Sequence, residues 1–207
     1  MVQRAKCREP GCVGIAVLGG EECAEHIGDA FHERLRETVE GNRELDWIAF
    51  ERLPLEGIDF RGKVLNGCTF GGCRVVHCDF SGAMIDLSFF DFAVLTGCRF
   101  DNARLRGSVF TCSYIESCGG NNATLLQINF NGSSVHNTVF TASDLLDCRF
   151  IGAEISDSLL NDCNVKGTDF TRSRRINLRY RSCNLQDAYG IPGQEKYAAY
   201  GIPGDLV

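Results

Sequence analysis

The sequence predicts a solenoid, a chain wound into stacked turns of near-identical length, and three observations lead there. Every fifth residue from Phe50 to Leu185 gives 28 positions, and 26 of them are Phe, Leu, Ile, Val or Tyr, although only 44% of the chain is apolar. A five-residue beat fits neither the 3.6-residue period of a helix nor the alternation of a flat strand. The aromatics are sorted within that beat: residues 50, 70, 90, 110, 130, 150 and 170 are all Phe, as are 60, 80, 100 and 140. The positions between them, such as Leu65, Ile85, Leu105 and Val165, are aliphatic, so the coil is 20 residues long. Finally, a small residue stands two places before each large one (Cys68, Ala83, Ser88, Cys98, Ala103), and Gly, Asn or Asp often stands two places after it (Gly62, Gly67, Gly97).

The repeating unit is therefore small, polar, large apolar, polar, polar or Gly. Ala103-Arg104-Leu105-Arg106-Gly107 and Thr168-Asp169-Phe170-Thr171-Arg172 display it well. It resembles the pentapeptide-repeat family, whose consensus is A-(D/N)-L-X-X, over about two thirds of the chain. The resemblance implies a right-handed quadrilateral β-helix with one pentapeptide per side, here about seven 20-residue coils across residues 48–187. Two opposite faces would stack Phe inward and the other two would stack Leu, Ile and Val. Coils spaced by about 4.8 Å would make a rigid column on the order of 30 Å long, with no cleft for a substrate.

Twelve cysteines would suit a disulfide framework in a small secreted protein. Eight of them (Cys68, Cys73, Cys78, Cys98, Cys118, Cys148, Cys163, Cys183) fall on the small inward position instead, where a reduced thiol acts as a compact hydrophobe. Met1–Lys6 carries no apolar signal-peptide stretch, and no apolar run approaches the ~20 residues of a membrane span. A reducing cytoplasm is the expected compartment, and no membrane partner is expected. The net charge of −6 is uneven: residues 1–45 hold nine acidic and six basic side chains, residues 46–187 sixteen and fourteen. The column is nearly neutral.

Residues 1–28 contain the one cluster that the beat leaves unexplained. Cys7, Cys12, Cys23 and His26 form C-x4-C-x10-C-x2-H, two ligand pairs joined by a loop, with Pro10-Gly11 and Gly19-Gly20 as turns. Soft and borderline donors in that number suit Zn²⁺, and so short a segment needs a metal staple in place of a core. The string also resembles the C-x2-P-G-C…C-x2-H zinc knuckles at the ends of various bacterial and phage proteins. Structural sites more often open with C-x2-C. Four protein ligands leave no open position, so the expected Zn²⁺ is structural.

Ile27, Phe31, Leu35 and Val39 draw an apolar stripe on a helix over about 29–40, stopped by Gly41. With Trp47 and Ile48 behind it, this helix (residues 29–47 with its linker) is expected to cap the open end of the column. Residues 188–207 repeat Tyr-Gly-Ile-Pro-Gly and are expected to form a C-terminal cap or, through Tyr189, Tyr197 and Tyr200, a homodimer contact. Gly119-Gly120 interrupts a Phe ladder; its gap is expected to be filled by Phe100 and Phe140, the alternative being a bulge or a small pocket. Arg172, Arg174, Arg175, Arg179 and Arg181 crowd one end, either as a solvated face or as a site for carboxylate or phosphate.

No nucleophile–base pair, phosphate-cradling loop or paired carboxylates emerge, and His77 and His136 sit at outward positions. The expected function is a non-enzymatic scaffold that binds a protein partner and no nucleic acid directly. The alternative is borrowed from family members that mimic B-form DNA in the groove of type II topoisomerases. In that reading the partner is DNA gyrase and the outcome quinolone protection. It requires a dominant acidic face.

Overall fold

Twenty residues after each strand, the chain meets itself again. In the computed structural model, which describes residues 5–191, Pro54–Glu56 pairs in parallel with Arg74–Val76, Leu55 opposite Val75. The same step continues through Val94–Thr96, Tyr114–Glu116, Ser134–His136 and Glu154–Ser156 to Arg174–Ile176. Three further sides share this step. A first face is bridged from Ala49↔Thr69 to Asp169↔Tyr189. A third face runs from Asp59↔Asp79 to the strand Arg179–Arg181. A fourth begins at Glu44↔Val64 and passes through Val64–Asn66, Met84–Asp86, Arg104–Arg106 and Thr124–Leu126. The protein is thus the expected all-β, four-sided parallel solenoid, and seven rungs on the second face enclose six full turns.

The corners explain the glycines. Every residue whose number ends in 2 or 7, from Trp47 to Ser182, has φ between +50° and +69°. Glycine adopts that region freely, and Asn and Asp pay less there than other side chains. Bulky corner residues then lean over the corner 20 residues on. A Cβ at Gly67 would collide with the Trp47 indole, and one at Gly97 with the His77 imidazole. Glycine at these corners is needed for space as well as for φ.

The inward positions build the core. Phe50, Phe70, Phe90 and Phe110 stack face to face at 4.4–4.6 Å between centroids. Phe60, Phe80 and Phe100 stack across the bore at 4.7 and 5.0 Å. The ladders meet edge-to-face, as between Phe60 and Phe70 at 5.9 Å and 81°. The small positions supply backbone partners. The Cys68 N–H donates to Ser88 Oγ (3.1 Å), Ser88 N–H to Ser108 Oγ (3.1 Å) and Cys98 N–H to Cys118 Sγ (3.4 Å). Ser88 Oγ–H in turn donates to the Leu65 carbonyl at 3.0 Å. Ser and Cys therefore sit where a buried N–H just after a corner would otherwise be without an acceptor. Burial pushes the Cys68, Cys73 and Cys148 thiols up to about 12.

Gly120 leaves a real gap. Phe100 and Phe140 do not close it, and a cavity of about 30 Å³ remains, lined by Phe100, Phe110, Phe130 and Phe140 among others. The Phe110–Phe130 stack beside it is tilted by 29°.

At the N-terminal end a 3₁₀ turn, Gly28–Ala30, leads into the helix Phe31–Glu40, which buries Leu35 and Val39. Gly41 keeps a right-handed φ of −70°. The last carbonyls are capped instead by Asn42 Nδ2, which donates to Thr38 O at 3.0 Å. Trp47 is not tucked under this helix. It stands on the first corner of the column, 56% exposed. At the other end the terminal rungs of the second and third faces carry Arg174, Arg175, Arg179 and Arg181. Arg175 occupies an inward position there, half-buried, where an inward charge discourages edge-to-edge pairing. The segment 192–207, including Tyr197 and Tyr200, lies outside the described residues.

Candidate metal centre and interaction face

Cys7, Cys12, Cys23 and His26 converge as their spacing predicts, with all four donor atoms within 4.8 Å of one another. Two turns bring them together. Cys7 N–H donates to Gly14 O (2.8 Å) and Cys12 N–H to Glu9 O (3.1 Å), closing the first loop around Gly11 at φ +79°. The backbone of Cys23 accepts from both His26 N–H and Ile27 N–H at 3.0 Å, a single helical turn that puts Cys23 and His26 on one side. Lys6↔Ile15 is an antiparallel bridge that holds the two limbs.

The separations test the fit. Cys12 Sγ to Cys23 Sγ is 3.8 Å, Cys23 Sγ to His26 Nδ1 3.3 Å, and Cys7 Sγ to His26 Nδ1 3.4 Å. A tetrahedron with metal–sulfur bonds of about 2.3 Å and metal–nitrogen bonds of about 2.0 Å has edges of roughly 3.8 Å (S to S) and 3.5 Å (S to N). The four side chains can therefore hold a metal ion. The Gly14 N–H donates to Cys12 Sγ at 3.3 Å, support that a thiolate ligand needs. Gly14 is the residue that the sequence reading missed. A Cβ there would meet Cys23 Cβ at 2.8 Å and its Sγ at 2.9 Å. Its signal was the short Cys12-Val13-Gly14 spacing.

The thiols differ in acidity. Burial raises Cys7, but backbone contacts from Glu9 and Cys23 and the His26 side chain outweigh it and leave it at about 7. Cys12 is lowered by the Gly14 N–H, yet desolvation and the Cys23 and Cys7 thiols raise it overall. The module is tied to the helix through Glu22, whose carboxylate meets Arg34 Nη1 and Arg8 Nη2, each at 2.6 Å. Leu18 N–H donates to Ala49 O at 2.8 Å, so the segment after the loop closes the lower edge of the first face.

The outward residues differ sharply between faces. The third face presents Asp59, Arg61, Asp79, Arg99 and Asp101, with ion pairs Arg61–Asp59 at 2.6 Å and Arg99–Asp79 at 2.7 Å. On the first face, four successive rungs (67–72, 87–92, 107–112, 127–132) carry one charged side chain, Asp91. Across its middle runs a ridge of Leu87, Phe89 and Phe92, exposed by 58%, 38% and 66%. The rungs on either side offer Gly67, Thr69, Gly71 and Gly72 below and Gly107, Val109, Thr111 and Cys112 above. Sorting the charges in this way leaves no dominant acidic face.

The family model for pentapeptide repeats matches in eight copies, over residues 76–111 and 90–117. Those residues are pentapeptide repeats, and the same five-residue register and four-sided parallel coil run on through the rest of the column. The chain is similar to HetL of the cyanobacterium Nostoc sp. strain PCC 7120, a protein involved in heterocyst differentiation regulation. That match has 14% identity and a TM-score of 0.34, and covers 76% of this chain and 95% of HetL. Trypsin-treated QnrB1, a plasmid-mediated fluoroquinolone resistance protein, matches at 14% identity and TM-score 0.37, over 66% of this chain and 77% of its own. A pentapeptide repeat protein from the Arabidopsis thaliana thylakoid lumen matches at 28% identity and TM-score 0.32, over 52% and 68%. No curated protein matches by sequence.

Proposed function

We propose that the chain is a non-enzymatic scaffold of the cytoplasm, a rigid column that engages a protein partner through its first face and is closed at one end by a structural Zn²⁺ module. The observation that carries the reading is the exposed ridge Leu87–Phe89–Phe92 on the first face, whose four middle rungs carry one charged side chain, Asp91. Monomeric proteins seldom expose contiguous apolar surface of this kind without using it. Three of the four zinc donors are thiols, the separations suit a tetrahedron, and all four positions are filled by protein. That supports zinc in a structural role. Mimicry of DNA towards gyrase needs an acidic face, and the acidic side chains here alternate with arginines on the third face.

The test has two arms on one sample of the full chain. Metal analysis should find one zinc per chain, lost in Cys23→Ser; a zinc content near zero in protein purified without chelator sinks the metal assignment. Photo-crosslinking from position 89 in native cytoplasm should trap protein. No adduct at 89, with adducts from a third-face position such as 99, overturns the choice of face. Inhibition of gyrase supercoiling at stoichiometric protein would restore the alternative.

A further inference from the structure

We propose that a single stretch of coil, residues 84–94, is a belt that docks an extended segment of a partner polypeptide, apolar along its middle and acidic at both ends. The inference rests on the reading of the first face as an interaction surface and carries that surface around two corners.

From Met84 to Val94 every exposed residue is large and apolar: Met84 (45%), Leu87 (58%), Phe89 (38%), Phe92 (66%) and Val94 (39%). Met84 stands on the fourth face, Phe89 on the first and Val94 on the second, so the five follow the coil across three sides of the column. Leu87 and Phe92 occupy the two corners between those sides, at φ +50° and +58°. A bulky side chain costs energy in that region, and such strain gathers at functional sites. One coil below, the same two corners are Gly67 and Gly72, so the fold itself does not call for bulk there. Asp86 and Asp91 lie half-buried between the exposed side chains.

Shape selects the occupant. A flat surface, whether a bilayer or another column, meets one face of a four-sided column and leaves Met84 or Val94 in water. A segment that bends at both corners covers all five. It cannot join the column as an added strand, because the backbone of the belt is already paired on both sides. Phe89 N–H donates to Cys68 O below at 2.9 Å, and Phe90 N–H to Val109 O above at 2.7 Å. Recognition therefore runs through side chains and not through main-chain pairing.

Charge selects the ends of that segment. Arg104 stands above Met84 and Arg106 above Asp86 on the fourth face, while Arg74 stands below Val94 on the second. All three arginines are exposed, and none has an ion pair among the described residues. Over the first face, between them, the rungs above and below the belt carry no charge. A segment lying obliquely, from the upper edge of the fourth face to the lower edge of the second, thus meets apolar side chains in its middle and arginine at either end. Acidic residues at those ends fix its position and direction, and the apolar middle supplies the burial.

The experiment selects random peptides of about 12 residues, roughly 40 Å when extended, against the full chain. Enriched peptides should carry aromatic or aliphatic residues flanked by Asp or Glu. In fluorescence anisotropy the tightest of them should bind about tenfold or more weakly to Phe89→Asp, with unchanged circular dichroism. Met84→Ser and Val94→Ser, on different faces, should each weaken it by about threefold or more. Arg104→Glu should weaken the same peptide, and a peptide with the acid at one end changed to Lys should regain affinity for that variant. Arg74→Glu should answer in the same way to the other end. A peptide that feels Phe89→Asp but neither Met84→Ser nor Val94→Ser overturns the belt and leaves the first face standing as the contact. A peptide indifferent to Phe89→Asp overturns both readings. The belt also falls if no peptide is enriched, if both charge reversals fail to recover, or if Phe89 instead mediates self-association or binding to vesicles of phosphatidylcholine and phosphatidylglycerol.

Discussion

The first coils of the column and the later ones are built from the same beat but filled differently. Between Phe50 and Phe90 two aromatic ladders run opposite each other and touch edge-to-face at 5.9–6.3 Å, and Phe50, Phe60, Phe70, Phe80 and Phe90 are 0% exposed. Beyond Phe100 the third face reads Gly120, Phe140, Leu160, Tyr180, and the bore holds cavities of about 30 and 20 Å³. Phe130 and Phe150, though inward, each retain 6% exposure. Backbone pairing evidently sets the coil geometry, since the register does not falter at Gly120. Side-chain volume decides how densely that geometry is packed.

Truncation should separate the halves most strongly. Phe70→Ala removes a ring stacked on both sides, at 4.6 and 4.4 Å, and should cost about 3–5 kcal/mol in urea denaturation. Phe150→Ala removes a ring that already borders both cavities and should cost at least about 1 kcal/mol less, because fewer contacts are lost. Equal losses would show that the cavities carry no energetic weight.

Enlargement should invert the order. Val75→Phe has no space at 0% exposure and should destabilise by about 1–3 kcal/mol. Leu160→Phe extends the Phe140 ladder into the smaller cavity and should stabilise by about 0.5–1 kcal/mol, read as a higher denaturation midpoint. A destabilised Leu160→Phe would mean that the later coils are rigid around their voids.

The ends differ as well. The lower edge of the first coil is covered by the segment that follows the Cys7–His26 cluster's first loop, through Leu18 N–H to Ala49 O. Chelation should therefore raise amide exchange at Phe50 and Leu53 about tenfold or more while leaving Phe150 and Ala153 unchanged, since order in so short a module depends on its metal. A uniform change along the column would indicate global unfolding instead.

Much of this was readable from residue types, for identifiable reasons. The Phe ladders and the small positions showed because burial forces one residue class at each. Cys7, Cys12, Cys23 and His26 showed because metal chemistry restricts donors to a few side chains. Gly14 did not, since its role is a distance to Cys23 that no composition carries. Leu87, Phe92 and Trp47 were hidden too: each sits in a left-handed corner where bulky side chains are disfavoured, held there by the pairing on either side. The contrast between first and third faces needs the chain folded at twenty residues per turn, whereas linear charge counting reports only near-neutrality. Gly41 was the right stop for the wrong reason, because Asn42 supplies the cap.

The smallest effect sharpens the electrostatic side of the comparison. Asp59 lies on the third face of the early coils, where Arg61 donates to both carboxylate oxygens, at 2.9 and 2.6 Å. The Arg61 side chain first, then its backbone N–H, holds Asp59 down to about 2 from 3.8. A depressed carboxylate contributes stability above its unfolded pKa and loses it as pH falls through the folded one. The pair's contribution should thus be complete above about pH 4 and vanish towards pH 2. Both side chains are more than half exposed, at 55% and 64%, so water screens most of the attraction. Asp59→Asn should cost less than about 0.5 kcal/mol at pH 7 and nothing near pH 2. Arg179 and Arg181 occupy the same face at the far end without a recorded ion pair among the described residues, so Arg179→Gln should show no such pH dependence. If Asp59→Asn and Arg179→Gln respond alike between pH 2 and 7, the pairing on the third face is a matter of geometry alone, and the scarcity of charge on the four middle rungs of the first face is what still sets those two faces apart electrostatically.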